Sequence, residues 1–340
     1  MTRSRALWRI VWALVPALAV LWLASWSVGN IPGPNDTTFT IRTSTNHTVG
    51  SPPTNLLYQC PPPNVIDDAN PEEPGAYESA NKRLREEWND FVQDFQRVDS
   101  RYNYDAWRRP YAQVKEGMHA WKTQQWKDLL QDYRDENSML IYESAAGLGL
   151  NLLMTVQVLR EQSSVPVVLY GNEYVESSVN LAHRLYATGI FPPHTSWASY
   201  CTADSRNLSH VPANTFDLVL TGYITPLQNP FHWPAATWFT DTRVQVCPNA
   251  TAVEEMQVIQ EFWYLVWVQQ MVRIAKPGAW IWIEQVSLPF CDAGDWGGVS
   301  HDFWPRHAPV WGIEEASIVT MGDQVFDQGR YHVAFRKRPR

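Results

Sequence analysis

The sequence of 340 residues predicts an α/β fold, in which a seven-stranded and mostly parallel sheet carries helices on both faces. Two observations lead to this prediction. From residue 139 onward, short runs rich in β-branched and aromatic residues alternate with segments of helical length, which is typical of parallel sheets built from crossover units. The chain is also 45% hydrophobic and 18% charged, which is enough apolar material for one large core.

The first element is an uncharged run from Ile10 to Val28, IVWALVPALAVLWLASWSV. As a helix it would extend about 28 Å, close to the hydrocarbon thickness of a bilayer. Arginines precede it at positions 3, 5 and 9, so the positive-inside tendency predicts a cytosolic tail of residues 1–9 and a luminal remainder. We therefore expect a single-pass type II signal anchor of the endoplasmic reticulum or Golgi membrane. A cleaved signal peptide is the alternative, with a usual apolar core of about 7–15 residues.

Two features downstream of this run agree with a luminal or secreted domain. N-glycosylation sequons begin at Asn35, Asn46, Asn207 and Asn249. All four cysteines also follow the run, and disulfides form in an oxidising lumen. We expect Cys247 to pair with Cys291, and, as the weaker prediction, Cys60 with Cys201. The cysteine spacing fits no zinc pattern, so no metal is predicted.

Residues 29–76 are rich in proline and poor in apolar residues, which predicts an extended stalk. For residues 77–138 we predict an N-terminal cap that consists of two helices. In the first helix the apolar residues form one stripe, and the second helix covers about 111–133. The stripe of the first helix consists of Ala80, Leu84, Trp88, Phe91, Phe95 and Val98.

Residues 139–340 form the main predicted domain, which contains seven β-like runs. They are MLIYES, VPVVLYGNE, WASYCTAD, FDLVLTGY, AWIWIEQV, ASIVTMGD and RYHVAFRKR. Helix-length segments separate the first five, so these should be parallel. The last two follow one another closely around QVFDQG and should form an antiparallel hairpin at one edge of the sheet.

The stretch LIYESAAGLGLN places a carboxylate, small residues and a helix start in close succession. Glu143 ends the first strand, Ala145, Gly147 and Gly149 form the turn, and Asn151 opens the helix. Small residues let a ligand approach the backbone, and the free amides of a helix start favour an anionic group. A turn chosen only for tight packing is the structural alternative.

Polar residues also end the next strands of the predicted sheet. Glu173 ends the second strand, where a carboxylate can bind both hydroxyls of a ribose, and Asp204 ends the third. Lys276-Pro277-Gly278 forms a turn that leads into the fifth strand. Taken singly, each has an ordinary structural reading as a helix-start charge, a cap or a turn. Together they place ligand-binding groups along one edge of the sheet.

With these motifs in this order, residues 139–337 resemble the class I S-adenosylmethionine-dependent methyltransferases, which have a Rossmann-like sheet. The resemblance implies that the chain binds S-adenosylmethionine and methylates an acceptor. It implies that Ala145, Gly147 and Gly149 border the methionine part and that Glu173 holds the ribose. Glu143 would orient the loop or the cofactor's amino group, and Tyr104 or Trp107 would close over the cofactor. The remaining cofactor contacts implied are Tyr174, Asp204, Ser205 and Gly222, with Asp204 and Ser205 at the adenine.

Ala145 departs from the family pattern, which usually has a first glycine there. A methyl group would cost about 1 kcal/mol if the backbone φ is positive, which would weaken cofactor binding. A nicotinamide enzyme is disfavoured, because Leu152 stands where its third loop glycine is required. An aminopropyl transferase is disfavoured because TGYITPLQNP follows the fourth strand in place of paired aspartates.

The acceptor site is expected in the loops after the fourth and fifth strands. His301 and His232 are the base candidates, with His307 as a further one, and we expect Asp302 to orient His301. Both loops are rich in aromatic residues, which suit sugar stacking or cation–π contact, or else form a satellite core. These residues are Phe231, Trp233, Trp238, Phe239, Trp296, Phe303, Trp304 and Trp311.

The expected acceptor is a hydroxyl of a glycan in the secretory pathway, with an amine or polyamine as the alternative. A non-catalytic relative that binds a partner is the third possibility. The formal net charge of −8 argues against a nucleic-acid partner.

Overall fold

The computed structural model describes residues 57–62, 103–104, 109–134, 137–174, 176–222, 247–289, 291, 298–322 and 330–339. In these ranges the chain forms one seven-stranded sheet and a separate short ladder, in which Asn103–Tyr104 pairs antiparallel with Arg109–Pro110. The strands of the sheet are β1 (Met139–Glu143), β2 (Val167–Glu173), β3 (Thr195–Thr202), β4 (Phe216–Thr221), β5 (Ala275–Ser287), β6 (Val319–Gly322) and β7 (Arg330–Arg336).

The order of strands across the sheet is β3-β2-β1-β4-β5-β7-β6. Neighbours among β1 to β5 are parallel, whereas β7 is antiparallel to both β5 and β6. The predicted α/β fold with a mostly parallel seven-stranded sheet and a hairpin at one edge is therefore confirmed. The chain turns outward from β1 in both directions, so the topological switch point lies between β1 and β4, where open α/β sheets bind ligands.

Five α-helices and a short 3₁₀ helix, Glu315–Ser317, accompany these strands in the described ranges. The α-helices are α1 (Tyr111–Asp132), α2 (Leu150–Arg160), α3 (Glu176–Ala187), α4 (Ala250–Ile274) and α5 (Phe303–Trp311). The helix predicted over about 111–133 is thus confirmed. Helices α2 and α3 connect consecutive parallel strands, and α4 precedes β5, as crossover units require.

Alternating residues of the strands face two apolar layers, because side chains of a strand alternate between the faces of a sheet. Ile141 and Trp282 pack with α1, α2 and α3 in one layer. Tyr142 and Ile281 pack with α4 and α5 in the other. Helices cover both faces, which explains why the central strands read as nearly continuous apolar runs.

Two disulfides are present, and both pair as predicted. Cys60 bonds to Cys201 of β3, and Cys247 bonds to Cys291. Next to the first bond, Tyr58 is buried against Tyr170 of β2, with ring centroids 5.8 Å apart. The short segment 57–62 is therefore attached to the sheet both covalently and by packing.

Several predictions fall outside the described residues. These are the anchor of 10–28, all of the stalk except 57–62, the first cap helix, Trp107, and the sequons at Asn35 and Asn46. In the described part of the chain, none of the helices combines the length and hydrophobicity that crossing a bilayer requires. The membrane anchor remains a prediction from the sequence.

Candidate functional site

The loop between β1 and α2 lies at the switch point and has an unusual backbone. Ala145, Gly147 and Gly149 all have positive φ, at 54°, 55° and 76°. Its amides are tied to the neighbouring strands, since Ser144 donates to Leu220 O of β4 at 2.9 Å and Ala146 donates to Asn172 O of β2 at 3.0 Å. Gly149 caps α2, whose first-turn amides lack partners within the helix. The loop thus places helix-start donors at the carboxyl edge of the sheet.

The glycines near this loop have two different roles. A Cβ added at Gly149 would come within 3.1 Å of the Trp197 ring, and one at Gly171 would come within 2.9 Å of the Tyr200 ring. These two glycines therefore allow close packing of the chain. Among the described residues other than its chain neighbours, none lies within 4 Å of the position that a Cβ at Gly147 would take. Gly147 is thus the position of this loop at which no described side chain covers the backbone.

Glu173 at the end of β2 lies beside the same glycine. Its Oε2 accepts a hydrogen bond from the Gly147 amide at 2.9 Å, and Tyr200 donates to the Gly147 carbonyl at 2.7 Å. A carboxylate has about four acceptor positions, so Glu173 can hold the loop and still accept further hydrogen bonds. The predicted strand-end acid and the predicted loop are brought together by the fold.

Asn172, which the sequence analysis did not select, connects the ends of three strands. Its Oδ1 accepts from Tyr142 Oη at 2.9 Å, and its Nδ2 donates to Ala203 O at 2.9 Å and to Ser205 Oγ at 3.0 Å. The side chain is completely buried. The sequence did contain a signal for this role, since Asn172 is a polar residue in an otherwise apolar strand. A buried amide needs hydrogen-bond partners for its polar atoms, so such a residue indicates a polar contact between elements. Asn172 holds the β3 end, including Ser205, against β2.

Asp204 is placed at this edge, but its carboxylate is already paired. Arg206 donates to Oδ1 through its backbone amide at 2.8 Å and to Oδ2 through its guanidinium at 2.8 Å. The guanidinium also lies over the Trp263 ring of α4, 5.8 Å from its centroid. The adenine contact of Asp204 stays a prediction, and it would have to share the carboxylate with Arg206. Tyr174 is half-buried next to Glu173.

Glu143 is buried beneath the loop, with 1% of its surface exposed. Asn151 of α2 donates to its Oε1 at 2.8 Å, and the backbone of Gly222 lies close to the same carboxyl group. Burial raises the pKa of Glu143 to about 8, an effect that Glu284 adds to and that Asn151, Lys122 and the backbone of Gly222 oppose. The position favours the predicted role in orienting the loop, because the carboxyl group holds the first turn of α2.

A buried ion pair lies close to Glu143 and was missed by the sequence analysis. Lys122 Nζ of α1 donates to both carboxylate oxygens of Glu284 at 2.7 and 2.8 Å and to Thr155 Oγ1 of α2 at 2.8 Å. Neither side chain of the pair is exposed. Lys122 lies four residues after the buried Met118 and thus on the same face of α1, so a lysine on an apolar helix face was the available signal.

The chain around Glu284 is irregular. Ile283 pairs with Thr221 at the end of β4, and the register with β7 then shifts between Ile283 and Val286. Gln285 has a φ of 58° and is buried, and its amide donates to His332 Nδ1 at 3.0 Å. Burial lowers the pKa of His332 to about 3. Bulges with strained residues often lie beside functional sites, and this one turns Glu284 towards α1.

The histidines predicted as bases have different outcomes. His301 is exposed and stacks on Tyr331, with ring centroids 4.0 Å apart, near the start of β7. Asp302 accepts a hydrogen bond from the Ser300 hydroxyl instead of pairing with His301, so the predicted orientation of His301 by Asp302 is not found. His232 lies outside the described residues.

The aromatic residues described after β5 form core. Phe303, Trp304 and Trp311 are buried in the layer of α4 and α5, and the His307 ring packs 4.7 Å from the Phe303 ring. Burial lowers the pKa of His307. Of the two alternatives, the satellite core is therefore confirmed for these three residues and the acceptor-site interpretation of them is wrong, since α5 turns them inward. The other five aromatic residues, Phe231, Trp233, Trp238, Phe239 and Trp296, lie outside the described residues.

The replacement Ala145→Gly is expected to stabilise the protein by about 0.5 kcal/mol. A left-handed conformation costs a residue with a Cβ about 1–2 kcal/mol, and the greater freedom of glycine in the unfolded chain offsets about 0.4–1 kcal/mol of the gain. Urea unfolding measures the difference. Ala146→Gly is the matched control and should destabilise, because Ala146 is buried and its φ is not positive. Equal effects of the two replacements would contradict the strain argument.

The free energy of unfolding is expected to fall as the pH rises from 6.5 to 8, and Glu143→Gln should remove this fall. Below pH 8 folded Glu143 keeps a proton that the unfolded chain releases above its ordinary pKa of 4.5, so raising the pH favours unfolding. The slope is at most about 1.4 kcal/mol per pH unit. Neutral His332 acts in the opposite direction, but only below pH 6.5. Parallel slopes of the two proteins in urea titrations would contradict the assignment.

Comparison with known proteins gives structural neighbours only. No protein-family model and no curated protein matches the sequence. Magnesium protoporphyrin IX methyltransferase (ChlM) of Synechocystis PCC 6803, solved with bound S-adenosylmethionine, is 12% identical, with 76% of this chain and 97% of that chain covered and a TM-score of 0.43.

Two further neighbours show a similar level of likeness. A SAM-dependent methyltransferase of Methanosarcina mazei is 11% identical, with 62% of this chain and 97% of that chain covered and a TM-score of 0.39. The [4+2]-cyclase SpnF is 10% identical, with 64% of this chain and 81% of that chain covered and a TM-score of 0.39. The three identities are 12% or lower, so these similarities concern the fold alone.

Proposed function

We propose that residues 139–340 bind S-adenosylmethionine at the carboxyl edge of the sheet and catalyse transfer of its methyl group to an acceptor. The observation that carries the proposal is Gly147. Apart from its chain neighbours, no described residue stands within 4 Å of the place of a Cβ at Gly147, which lies at the switch point, and the Gly147 amide donates to Glu173 at 2.9 Å. A glycine turn that a ligand can approach, next to a strand-end acid that can accept from ribose hydroxyls, suits a nucleoside ligand.

The residues at this edge fit the parts of the cofactor. The first-turn amides of α2 suit its carboxylate, because helix starts favour anions. Glu173 suits the two ribose hydroxyls, since its carboxylate accepts hydrogen bonds. Ser205, held by Asn172, suits the adenine side together with Asp204 and Arg206. Glu143 supports the loop from below through Asn151.

The chemistry asked of the protein is mainly positioning. S-adenosylmethionine supplies a methyl group that its sulfonium already makes electrophilic. The chain must hold an acceptor oxygen or nitrogen in line with that methyl group and take a proton from the acceptor where it has one. His301 and His232 remain the proposed bases. His301 is exposed near the carboxyl edge, as a residue that exchanges protons with an acceptor must be.

We further propose that the domain acts in the lumen of the endoplasmic reticulum or Golgi, held by the anchor of residues 10–28. Two disulfides support this location, because stable disulfides are typical of oxidising compartments. In that compartment the proposed acceptor is a glycan hydroxyl. An amine or polyamine is the second candidate, with which the net charge of −8 is compatible.

Titration calorimetry of the full chain with S-adenosylmethionine tests the proposal. We expect binding of S-adenosylmethionine and of its demethylated product, and none of NAD⁺. Absence of heat and of a thermal shift with S-adenosylmethionine would favour the third possibility, a non-catalytic binding protein. Mass spectrometry of secretory glycans and polyamines from cells with and without the protein then distinguishes a hydroxyl from an amine acceptor.

A further inference from the structure

The sequon at Asn249 lies at the start of helix α4 and is exposed. Asn249 is the residue before α4, and Ala250 and Thr251 are the first two residues of that helix. All three residues are exposed to solvent. The sequon thus occupies an accessible position in the folded domain, and its middle residue is not proline, as the acceptor motif requires.

The hydrogen bond of Asn249 leaves the atom that would be modified available. Its Oδ1 accepts from the Ala252 amide at 3.3 Å, which caps the helix. Capping uses the side-chain oxygen, whereas an N-linked glycan is attached to the side-chain nitrogen. A glycan on Nδ2 therefore keeps the cap oxygen in place, and helix α4 does not oppose the modification.

The surroundings of Asn249 agree with the compartment in which such glycans are added. Cys247, two residues earlier, is bonded to Cys291, which is typical of a protein that matures in an oxidising lumen. The other described sequon, at Asn207, is also exposed, but it lies three residues after Asp204. A glycan at Asn207 would stand beside the proposed cofactor site, so the inference is confined to Asn249.

We propose that Asn249 carries an N-linked oligosaccharide. In the reaction Asn249 Nδ2 forms a bond to the anomeric carbon of an oligosaccharide that is bound to a polyprenyl pyrophosphate. The bond from that carbon to the pyrophosphate oxygen breaks, the lipid pyrophosphate leaves with the electron pair, and Nδ2 loses one proton. The donor and the transferase belong to the cell's secretory pathway, and this chain supplies only the acceptor.

The test is site occupancy in the full chain, expressed in cultured eukaryotic cells. Peptide N-glycosidase removes a glycan and converts its asparagine to aspartate, so peptide mass spectrometry reads the modification at position 249. We expect conversion of Asn249 to aspartate in the wild-type protein and in Thr251→Ser, which keeps the sequon. We expect no conversion in Thr251→Ala, which loses the sequon but keeps Asn249 as the cap of α4. Recovery of wild-type Asn249 mainly as unmodified asparagine would overturn the proposal.

A second variant separates the glycan from the cap and from the proposed enzyme. Asn249→Asp keeps an acceptor oxygen for the Ala252 amide but cannot be glycosylated, so it should lose the glycan at this site and keep α4 capped. Its affinity for S-adenosylmethionine should equal that of the wild type, because Asn249 lies outside the proposed cofactor contacts. Loss of occupancy and loss of cofactor binding are therefore independent results.

Discussion

Lys122→Met is expected to lower the free energy of unfolding by about 3–5 kcal/mol, the largest effect we predict. The replacement removes the ammonium that pairs with both oxygens of Glu284, and it leaves a carboxylate that is 1% exposed without a counter-charge. Breaking one side of a buried ion pair typically costs this amount, because the remaining charge is desolvated and unpaired. Urea or thermal unfolding of the full chain measures it.

Two further variants make this prediction specific. Lys127→Met is the matched control, since Lys127 lies on the exposed side of the same helix and should change stability little. The double variant Lys122→Met with Glu284→Gln should recover much of the loss, because no unpaired charge remains and the glutamine can still accept from Trp121 Nε1. A double variant as unstable as Lys122→Met alone would show that packing, and not charge, causes the loss.

Glu173→Ala is expected to weaken binding of S-adenosylmethionine by about 10–100-fold. Hydrogen bonds to a charged group contribute about 1.5–3 kcal/mol, and about 1.4 kcal/mol corresponds to a factor of ten in affinity. Two consequences combine in this variant, because the proposed ribose contact is lost and the Gly147 amide loses its acceptor. Calorimetry on the wild type and the variant measures the change.

Glu173→Gln and Glu176→Ala are the matched variants for this experiment. A glutamine can accept from the Gly147 amide without the charge, so it should keep the loop ordered and recover part of the affinity. Glu176 is exposed in the first turn of α3, and its replacement should leave binding unchanged. Wild-type affinity in Glu173→Ala would remove the ribose assignment, even if the protein still binds the cofactor elsewhere.

The seven strands and helix α1 were predictable from periodic patterns in the sequence. These elements follow local patterns of apolar residues, and such patterns depend on neighbours in the chain. The convergence of Gly147 with Glu173 was also predictable, because the carboxyl ends of parallel strands meet at one edge. Cys247 and Cys291 follow the fourth and fifth predicted strands along the chain, and they pair as predicted.

Other features needed the assembled fold. Arg206 pairs with Asp204 through a local turn, yet its packing on Trp263 depends on where α4 lies. Asp302 bonds to Ser300 and not to its neighbour His301, because the direction of a side chain depends on the local backbone. Trp304 faces the core since α5 happens to turn that side towards the sheet.

By itself the sequence determined the order of strands along the chain, the parallel character of the first five, the small-residue loop after Glu143 and the acid at Glu173. Only the tertiary structure decided that Lys122 is buried against Glu284, 162 residues away, and that Asn172 joins three strand ends. The physical reason is that helices and strands depend on the local periodicity of apolar residues. The pairing of buried polar groups depends on which distant residues the fold brings together away from water, where each polar group must have a hydrogen-bond partner.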